Sequence, residues 1–141
     1  MECFLCQDNQ DLVIKKYKHW TFLIQKNQCY LGRCMVQLNR HVIDLFDITV
    51  EERSELFEIM KKLRNALSGL FKPDLFNYAS LGNMVEHLHI HVIPRYKEKR
   101  TFEGIEFTDN RWGDNYSPYD MGFKIPDSVL DKLRELIKQK L

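Results

Sequence analysis

Three of the chain's five histidines recur at every second position in Glu86-His87-Leu88-His89-Ile90-His91-Val92-Ile93-Pro94-Arg95. Strict alternation of polar and apolar side chains is the pattern of a strand, because successive Cβ atoms point to opposite faces of a sheet. Leu88, Ile90 and Val92 are therefore expected to face a core. His87, His89 and His91 are expected to line the other face, about 7 Å from one to the next at a rise of about 3.4 Å per residue. Imidazole neither raises β-propensity much nor solubilises a strand as Lys or Glu does, so three in register point to chemistry. Two chemistries use such a face. Alternate histidines can grip a catalytic metal that keeps an open coordination position. Alternatively, one neutral imidazole acts as a nucleophile on phosphorus while its neighbours bind the developing charge. A metal-activated water calls for a nearby carboxylate in support, and the strand offers only Glu86, expected on the apolar side.

A second group of candidate ligands lies at the N-terminus, where Cys3-Phe4-Leu5-Cys6 is a Cys-x-x-Cys. A redox pair of this spacing follows a strand and opens a helix, and no strand precedes it here, so half of a tetrahedral zinc site is the better fit. Cys29 and Cys34 read as small buried residues and His19 as structural. His41, at a strand exit, is a further candidate.

The elements that must position these residues are legible in outline. Lys18 to Lys26 and Tyr30 to Leu38 are rich in β-branched, aromatic and large apolar residues and are joined by a short polar link, which predicts an antiparallel pair. Thr49-Val50-Glu51-Glu52 is a capping box that opens a helix, whose Leu56, Ile59, Met60, Leu63, Leu67 and Leu70 form one apolar stripe. Gly69 and Pro73 bracket its end. Leu75 to Ser80 predicts a third strand leading to the histidines, which makes Asn77 and Asn83 candidates for the same pocket. Lys97, Lys99 and Arg100 follow the histidine strand, as a solvated turn or within reach of a polyphosphate tail. The stretch from there to Pro126 is expected to be irregular. Pro126-Asp127-Ser128 opens a last helix, with Val129, Leu130, Leu133, Leu136 and Ile137 inward. The expected fold class is α+β: a single domain over residues 1–141 with an antiparallel sheet, a long capped helix and a C-terminal helix.

The chain has 141 residues and a formal net charge of +1, which gives no general pull towards nucleic acid or an anionic membrane surface. The N-terminus lacks a basic segment with an apolar run behind it, and no stretch is apolar for 18 residues, so a cytoplasmic protein with reduced thiols is expected.

His87-Leu88-His89-Ile90-His91-Val92-Ile93 resembles the His-φ-His-φ-His-φ-φ motif of the histidine triad family of nucleotide hydrolases and transferases, with φ apolar. The likeness extends over residues 1 to about 100. It takes in the Cys-x-x-Cys of some members, Asn39-Arg40-His41-Val42 followed by Asp44-Leu45-Phe46-Asp47, the capped helix, and Pro94-Arg95. Two features depart from it. Gly82-Asn83 stands where many members have Gly-Gln, so the amide is one methylene shorter, and the tail from Thr101 is not covered by the motif.

The resemblance implies that His89 is the nucleophile, attacking the α-phosphorus of an adenosine nucleotide such as a dinucleoside polyphosphate to form a nucleotidyl-histidine. His91, with Asn77 and Asn83, would bind the phosphate. It also implies a purine nucleotide as ligand and a homodimer. Zinc-containing relatives such as galactose-1-phosphate uridylyltransferases use a Cys-x-x-Cys, an upstream histidine and the first histidine of the motif, which implies a structural Zn²⁺ on Cys3, Cys6, His41 and His87. A zinc-dependent hydrolase or lyase using the triad itself remains the competing expectation at this level, with a non-catalytic nucleotide-binding protein as a third.

Overall fold

The computed structural model describes residues 3–6 and 9–141. Seven strands and two helices follow in the order β1 (Val13–Lys16), β2 (Trp20–Ile24), β3 (Cys34–Leu38), α1 (Val50–Phe71), β4 (Leu75–Ala79), β5 (His89–Arg95), β6 (Arg100–Phe102), β7 (Ile105–Phe107) and α2 (Asp127–Gln139). The first five strands form one antiparallel sheet in the order β1-β2-β3-β5-β4, and β6 and β7 form a separate hairpin. This is the expected α+β architecture.

One face of the sheet is apolar because Trp20, Phe22, Ile24, Cys34, Val36, Leu38 and Val92 alternate onto it. Against it pack Leu56, Ile59, Leu63 and Leu67 of α1 and Leu130, Leu133 and Ile137 of α2, joining helices and sheet in one continuous core. The start of α1 is fixed by the predicted capping box: Glu52 N–H donates to Thr49 Oγ1 at 3.1 Å and Thr49 N–H to Glu52 Oε1 at 2.8 Å. Arg40 closes on the same carboxylate with Nε at 2.7 Å and Nη2 at 2.8 Å, holding the Glu52 carboxyl down to about 2. The residue beside His41 is thereby clamped to the first turn of the helix. The helix ends at Lys72, whose left-handed backbone (φ 51°) returns an N–H to Ser68 O.

Several expectations shift in position. The predicted strand over 30–38 is shortened to Cys34–Leu38, because Gly32 turns the chain at φ +87° and an added Cβ there would stand 3.1 Å from Leu67 Cδ2. The histidine strand begins at His89, so His87 and Glu86 precede it, and Glu86 is exposed in the connecting loop. Residues 13–16 form an unpredicted edge strand, too short for periodicity to register. The stretch expected to be irregular contains the β6–β7 hairpin. Arg100 serves structure within it, donating from Nε to Phe71 O and from Nη2 to Lys72 O and so covering carbonyls at the end of α1.

Candidate functional site

On the sheet face turned away from the helices, register places Gln37 opposite His89, Met35 opposite His91, and Ala79 on the other flank of His91. One end of this face is covered by the N-terminal segment, where Leu5 packs on Leu23 and Met35 with Val85 beside them. The other end is covered by the tail, where Tyr116, Tyr119 and Phe123 pack against Ile93, Tyr30 and Cys29. His89 and His91 lie between these two covers.

The rings of His89 and His91 are 5.0 Å apart, edge to face. His89 Nδ1 lies 2.6 Å from the carbonyl oxygen of His87. A carbonyl only accepts, so Nδ1 carries the proton and Nε2 keeps its lone pair. His91 is partly buried, and burial, with smaller contributions from His89 and Arg33, pushes its pKa down to about 4. It is neutral at physiological pH, and its Nδ1 is buried without a hydrogen-bond partner among the described residues. An imidazole whose tautomer is fixed, beside a second, neutral imidazole, is an arrangement suited to nucleophilic attack on an anionic centre.

The first histidine of the series does something else. His87 is 1 % exposed, and its Nε2 donates to Leu38 O at 2.6 Å, which leaves the Nδ1 lone pair free. That lone pair faces Cys3 Sγ and Cys6 Sγ, each at 3.3 Å, while His41 Nδ1 lies 3.4 Å from Cys6 Sγ. One ligand atom from each of Cys3, Cys6, His41 and His87 lies within 4.8 Å of every other. Bonds of about 2.3 Å to sulfur and 2.0 Å to nitrogen in a tetrahedron put S and N about 3.5 Å apart, which these distances match. The cluster thus has the donor chemistry, the spacing and, at His87, the supporting hydrogen bond of a Cys₂His₂ metal site. A side-chain hydrogen bond with Cys3, followed by burial and by the Coulombic effect of Cys3, pushes the Cys6 thiol pKa up, so the two thiols are paired with each other as they stand, and a divalent cation bound to both sulfurs would take the place of their protons. His89 and His91 are outside this cluster, so the three alternate histidines do not converge as one metal-binding face.

The other candidates are dispersed. Asn77 shares the face of His89 and His91, paired with Ile93, but its Oδ1 accepts from Arg95 Nη1 at 2.8 Å. Arg95 is itself saturated, with Asp109 bound through Nε at 2.7 Å and Nη2 at 3.2 Å, and Arg111 O and Asp114 O on the remaining donors. Asn77 and Arg95 thus tie the tail to the sheet beside the site. Asn83 is exposed in the loop before His87. Lys99 pairs with Glu106 and Lys97 lies over the Trp112 ring, so the basic turn is engaged with its own hairpin and tail.

Sequence reasoning passed over Arg33 and Gln37. A signal existed for Gln37, a polar residue in an otherwise apolar strand on the face of His89. Arg33 lies one residue before β3 and is brought to this face by its contact with Tyr119, which packs with Ile93. A cavity of about 800 Å³ lies elsewhere, between α1 and the loop before it, where Phe46, Phe57, Met60, Tyr78 and Ile90 line it. Tyr78 and Ile90 alternate with Ala79, His89 and His91, so this cavity opens on the opposite side of the sheet from the paired imidazoles. Arg53, Lys61 and Arg64 also reach this cavity, but among the described residues it holds no histidine or carboxylate to act as nucleophile or base at phosphorus.

The geometry agrees with comparisons to known proteins. The chain is 30% identical over 109 residues to a bis(5'-adenosyl)-triphosphatase of Saccharomyces cerevisiae, a match covering 73% of this chain and 53% of that protein. It is 30% identical over 95 residues to an AP-4-A phosphorylase of Mycobacterium tuberculosis, covering 63% and 49%. The chain spans about half the length of these curated relatives. In fold it is similar to a histidine triad protein of Sinorhizobium meliloti, with a TM-score of 0.77 at 17% identity over 92% of this chain and 89% of that one. A family model of the HIT domain matches residues 7–98, and with the paired imidazoles of His89 and His91 at its centre the chain belongs to the HIT domain family.

Proposed function

We propose that the protein is a nucleotidyl hydrolase or transferase that cleaves adenosine dinucleoside polyphosphates through a nucleotidyl-histidine. The observation that carries this reading is the hydrogen bond from His89 Nδ1 to the His87 carbonyl at 2.6 Å, which leaves Nε2 as an unprotonated nucleophile. The substrate class is supported by the names of the two similar enzymes, both of which act on adenosine dinucleotides. In the first step the Nε2 lone pair attacks the α-phosphorus, an N–P bond forms, and the bond to the bridging oxygen breaks. The leaving nucleoside polyphosphate departs with the electron pair. His91, neutral beside His89, donates a hydrogen bond to a phosphoryl or bridging oxygen, stabilising charge that grows in the transition state. In the second step water adds to phosphorus and loses a proton, the N–P bond breaks, and its electron pair returns to Nε2. AMP is released; with inorganic phosphate as acceptor in place of water the same intermediate gives ADP.

With diadenosine tetraphosphate labelled at the α-phosphorus, rapid quenching is expected to trap label on His89 as an acid-labile adenylate, read by mass spectrometry at mild pH. A label-free chain under single-turnover conditions would sink the covalent mechanism.

Cys3, Cys6, His41 and His87 are the residues that would hold a structural zinc ion, with Cys3 and Cys6 as thiolates. The reducing cytoplasm suits that requirement. A second copy of the chain is the occupant proposed for the apolar surface around Phe57 and Tyr78. Phe46, Phe57 and Tyr78 are 91 %, 72 % and 49 % exposed, and the adjacent β4 is a free sheet edge with Leu75 also exposed. An edge strand beside exposed aromatics is self-complementary about a two-fold axis. Sedimentation equilibrium at micromolar concentration is expected to give a dimer that Phe57→Glu converts to monomer. A monomeric wild-type chain would remove this part of the proposal.

A further inference from the structure

We propose that Arg33 is the binding residue for the anionic leaving group, the phosphates beyond the one attacked, and that it thereby selects polyphosphate substrates over adenylates with an uncharged leaving group. The inference deepens the hydrolase reading above and rests on it for the identity of the substrate. Arg33 is 6 % exposed and is the residue two before Met35 on β3, whose side chain shares the face of His91. Arg33 is the residue just before the ladder; its carbonyl still accepts from Gln25 N–H at 3.2 Å, and its guanidinium lies on Tyr119, which packs with Ile93 on the histidine face, about two residues or 7 Å beyond His91 along the sheet. The row on this face therefore runs from the Cys–His cluster at His87 through His89 and His91 to Arg33.

Two buried arginines occupy this side of the sheet, and they differ in one respect. Arg95 is neutralised by Asp109 and has Nε and both terminal nitrogens engaged. Arg33 has no carboxylate within ion-pair distance among the described residues, and its Nε is buried without a hydrogen-bond partner. Its guanidinium lies 3.6 Å from the centre of the Tyr119 ring, and Nη1 donates to Asn27 O at 3.1 Å. The ring and the single carbonyl hold the guanidinium in place without supplying the negative charge that a buried cation needs. An anion entering from the histidine face would supply it. Arginine suits a phosphate because its planar fork donates two parallel hydrogen bonds.

The same row contains two other buried atoms without partners, His91 Nδ1 and Gln37 Oε1, each beside the proposed nucleophile or one step along from it. Unpartnered buried polar atoms are uncommon, and three along one sheet face define the path of a polar ligand. With the α-phosphorus at His89 and the bridging oxygen at His91, the next position outward is Arg33. A leaving group with phosphates there brings its charge to the guanidinium. A leaving group without phosphate does not reach it. Tyr119 is the positioning residue in this arrangement: it belongs to the tail beyond the matched HIT domain and fixes the guanidinium from behind.

The test compares diadenosine tetraphosphate, whose leaving group carries phosphates, with adenosine 5'-phosphoramidate, whose leaving group is ammonia. Arg33→Gln is expected to lower kcat/KM on the tetraphosphate about 100-fold and to cut the ratio between the two substrates at least tenfold. Arg33→Lys keeps the charge and loses the fork, so it should restore part of the tetraphosphate activity. If Arg33→Gln fails to fold, Arg33→Lys carries the comparison, with an expected loss of about tenfold confined mainly to the tetraphosphate. Equal loss on both substrates, or no loss on either, overturns the assignment. Calorimetry with inorganic pyrophosphate separates this inference from the hydrolase reading, with binding at least tenfold weaker in Arg33→Gln expected. If the wild-type chain turns over neither substrate while pyrophosphate binding still depends on Arg33, the hydrolase reading fails and the anion site stands. If both substrates are turned over and pyrophosphate binds both proteins equally, the anion site fails and the hydrolase reading stands.

Discussion

Replacing His89 with alanine is expected to lower kcat on diadenosine tetraphosphate by a factor on the order of 10⁴ or more while nucleotide affinity changes only a few-fold. The asymmetry follows from position and bonding. His89 is the imidazole whose Nδ1 is tied to the His87 carbonyl, so its contribution is one lone pair on Nε2 that becomes a bond only as the reaction proceeds. Removing it leaves the face otherwise intact: Met35 and Gln37 on β3, His91 on β5 and the tail cover over Ile93 do not depend on the His89 ring. His89→Gly should respond to added imidazole, which enters the space left by the ring, with partial recovery of turnover. Stopped-flow turnover with binding of a non-hydrolysable analogue separates the two quantities. Turnover within tenfold of wild type in His89→Ala would assign the chemistry to another residue.

What the sequence made legible was set by local pattern, and what it hid was set by tertiary contact. Period-2 alternation located β5, and a capping box with a period of 3.6 located the start of α1, whose end at Phe71 falls between the bracketing Gly69 and Pro73. The alternation also grouped His87 with His89 and His91, although His87 sits two residues before the ladder and turns its Nδ1 to the two thiols. Alternation fixes a face only where the chain is in the ladder. The ligand set Cys3, Cys6, His41 and His87 was reachable only through family resemblance, since nothing in the spacing says that a residue near the N-terminus meets one 84 positions later. Arg33 was hidden by the opposite effect. Its significance is a buried Nε without a partner among the described residues, which is visible only once its neighbours in the fold are known. The β6–β7 hairpin was lost because three-residue strands carry too few alternations to stand out.

The cluster of four sulfur and nitrogen ligands yields the second large effect. Metal analysis of the untagged chain is expected to find close to one zinc per chain, and Cys3→Ser or His41→Ala should remove most of it. The cluster joins three parts of the chain: the N-terminal turn at Cys3 and Cys6, the segment after β3 at His41, and the approach to β5 at His87. Backbone hydrogen bonds already link the last two, Leu88 N–H to Val42 O at 2.6 Å and Leu38 N–H to Leu88 O at 3.2 Å. The N-terminal turn is itself docked by Leu5 on Leu23 and Met35 and by Gln37 Nε2 donating to Leu5 O at 3.1 Å, so a bound metal would add direct bonds from Cys3 and Cys6 to His41 and His87 across contacts already made. Losing about 3 kcal/mol in a domain of this size lowers Tm by roughly 10 °C, and a shift of that order is expected in both variants. The effect extends to chemistry, because the carbonyl that holds the His89 tautomer belongs to His87 itself. Metal-depleted protein that is still folded should therefore lose kcat more than it loses nucleotide affinity. Acidification works in the same direction, since thiolates and neutral imidazoles bind the ion only while deprotonated, so zinc is released as pH falls. A wild-type chain that is metal-free and melts at the same temperature as Cys3→Ser would show that the four residues meet without a metal between them.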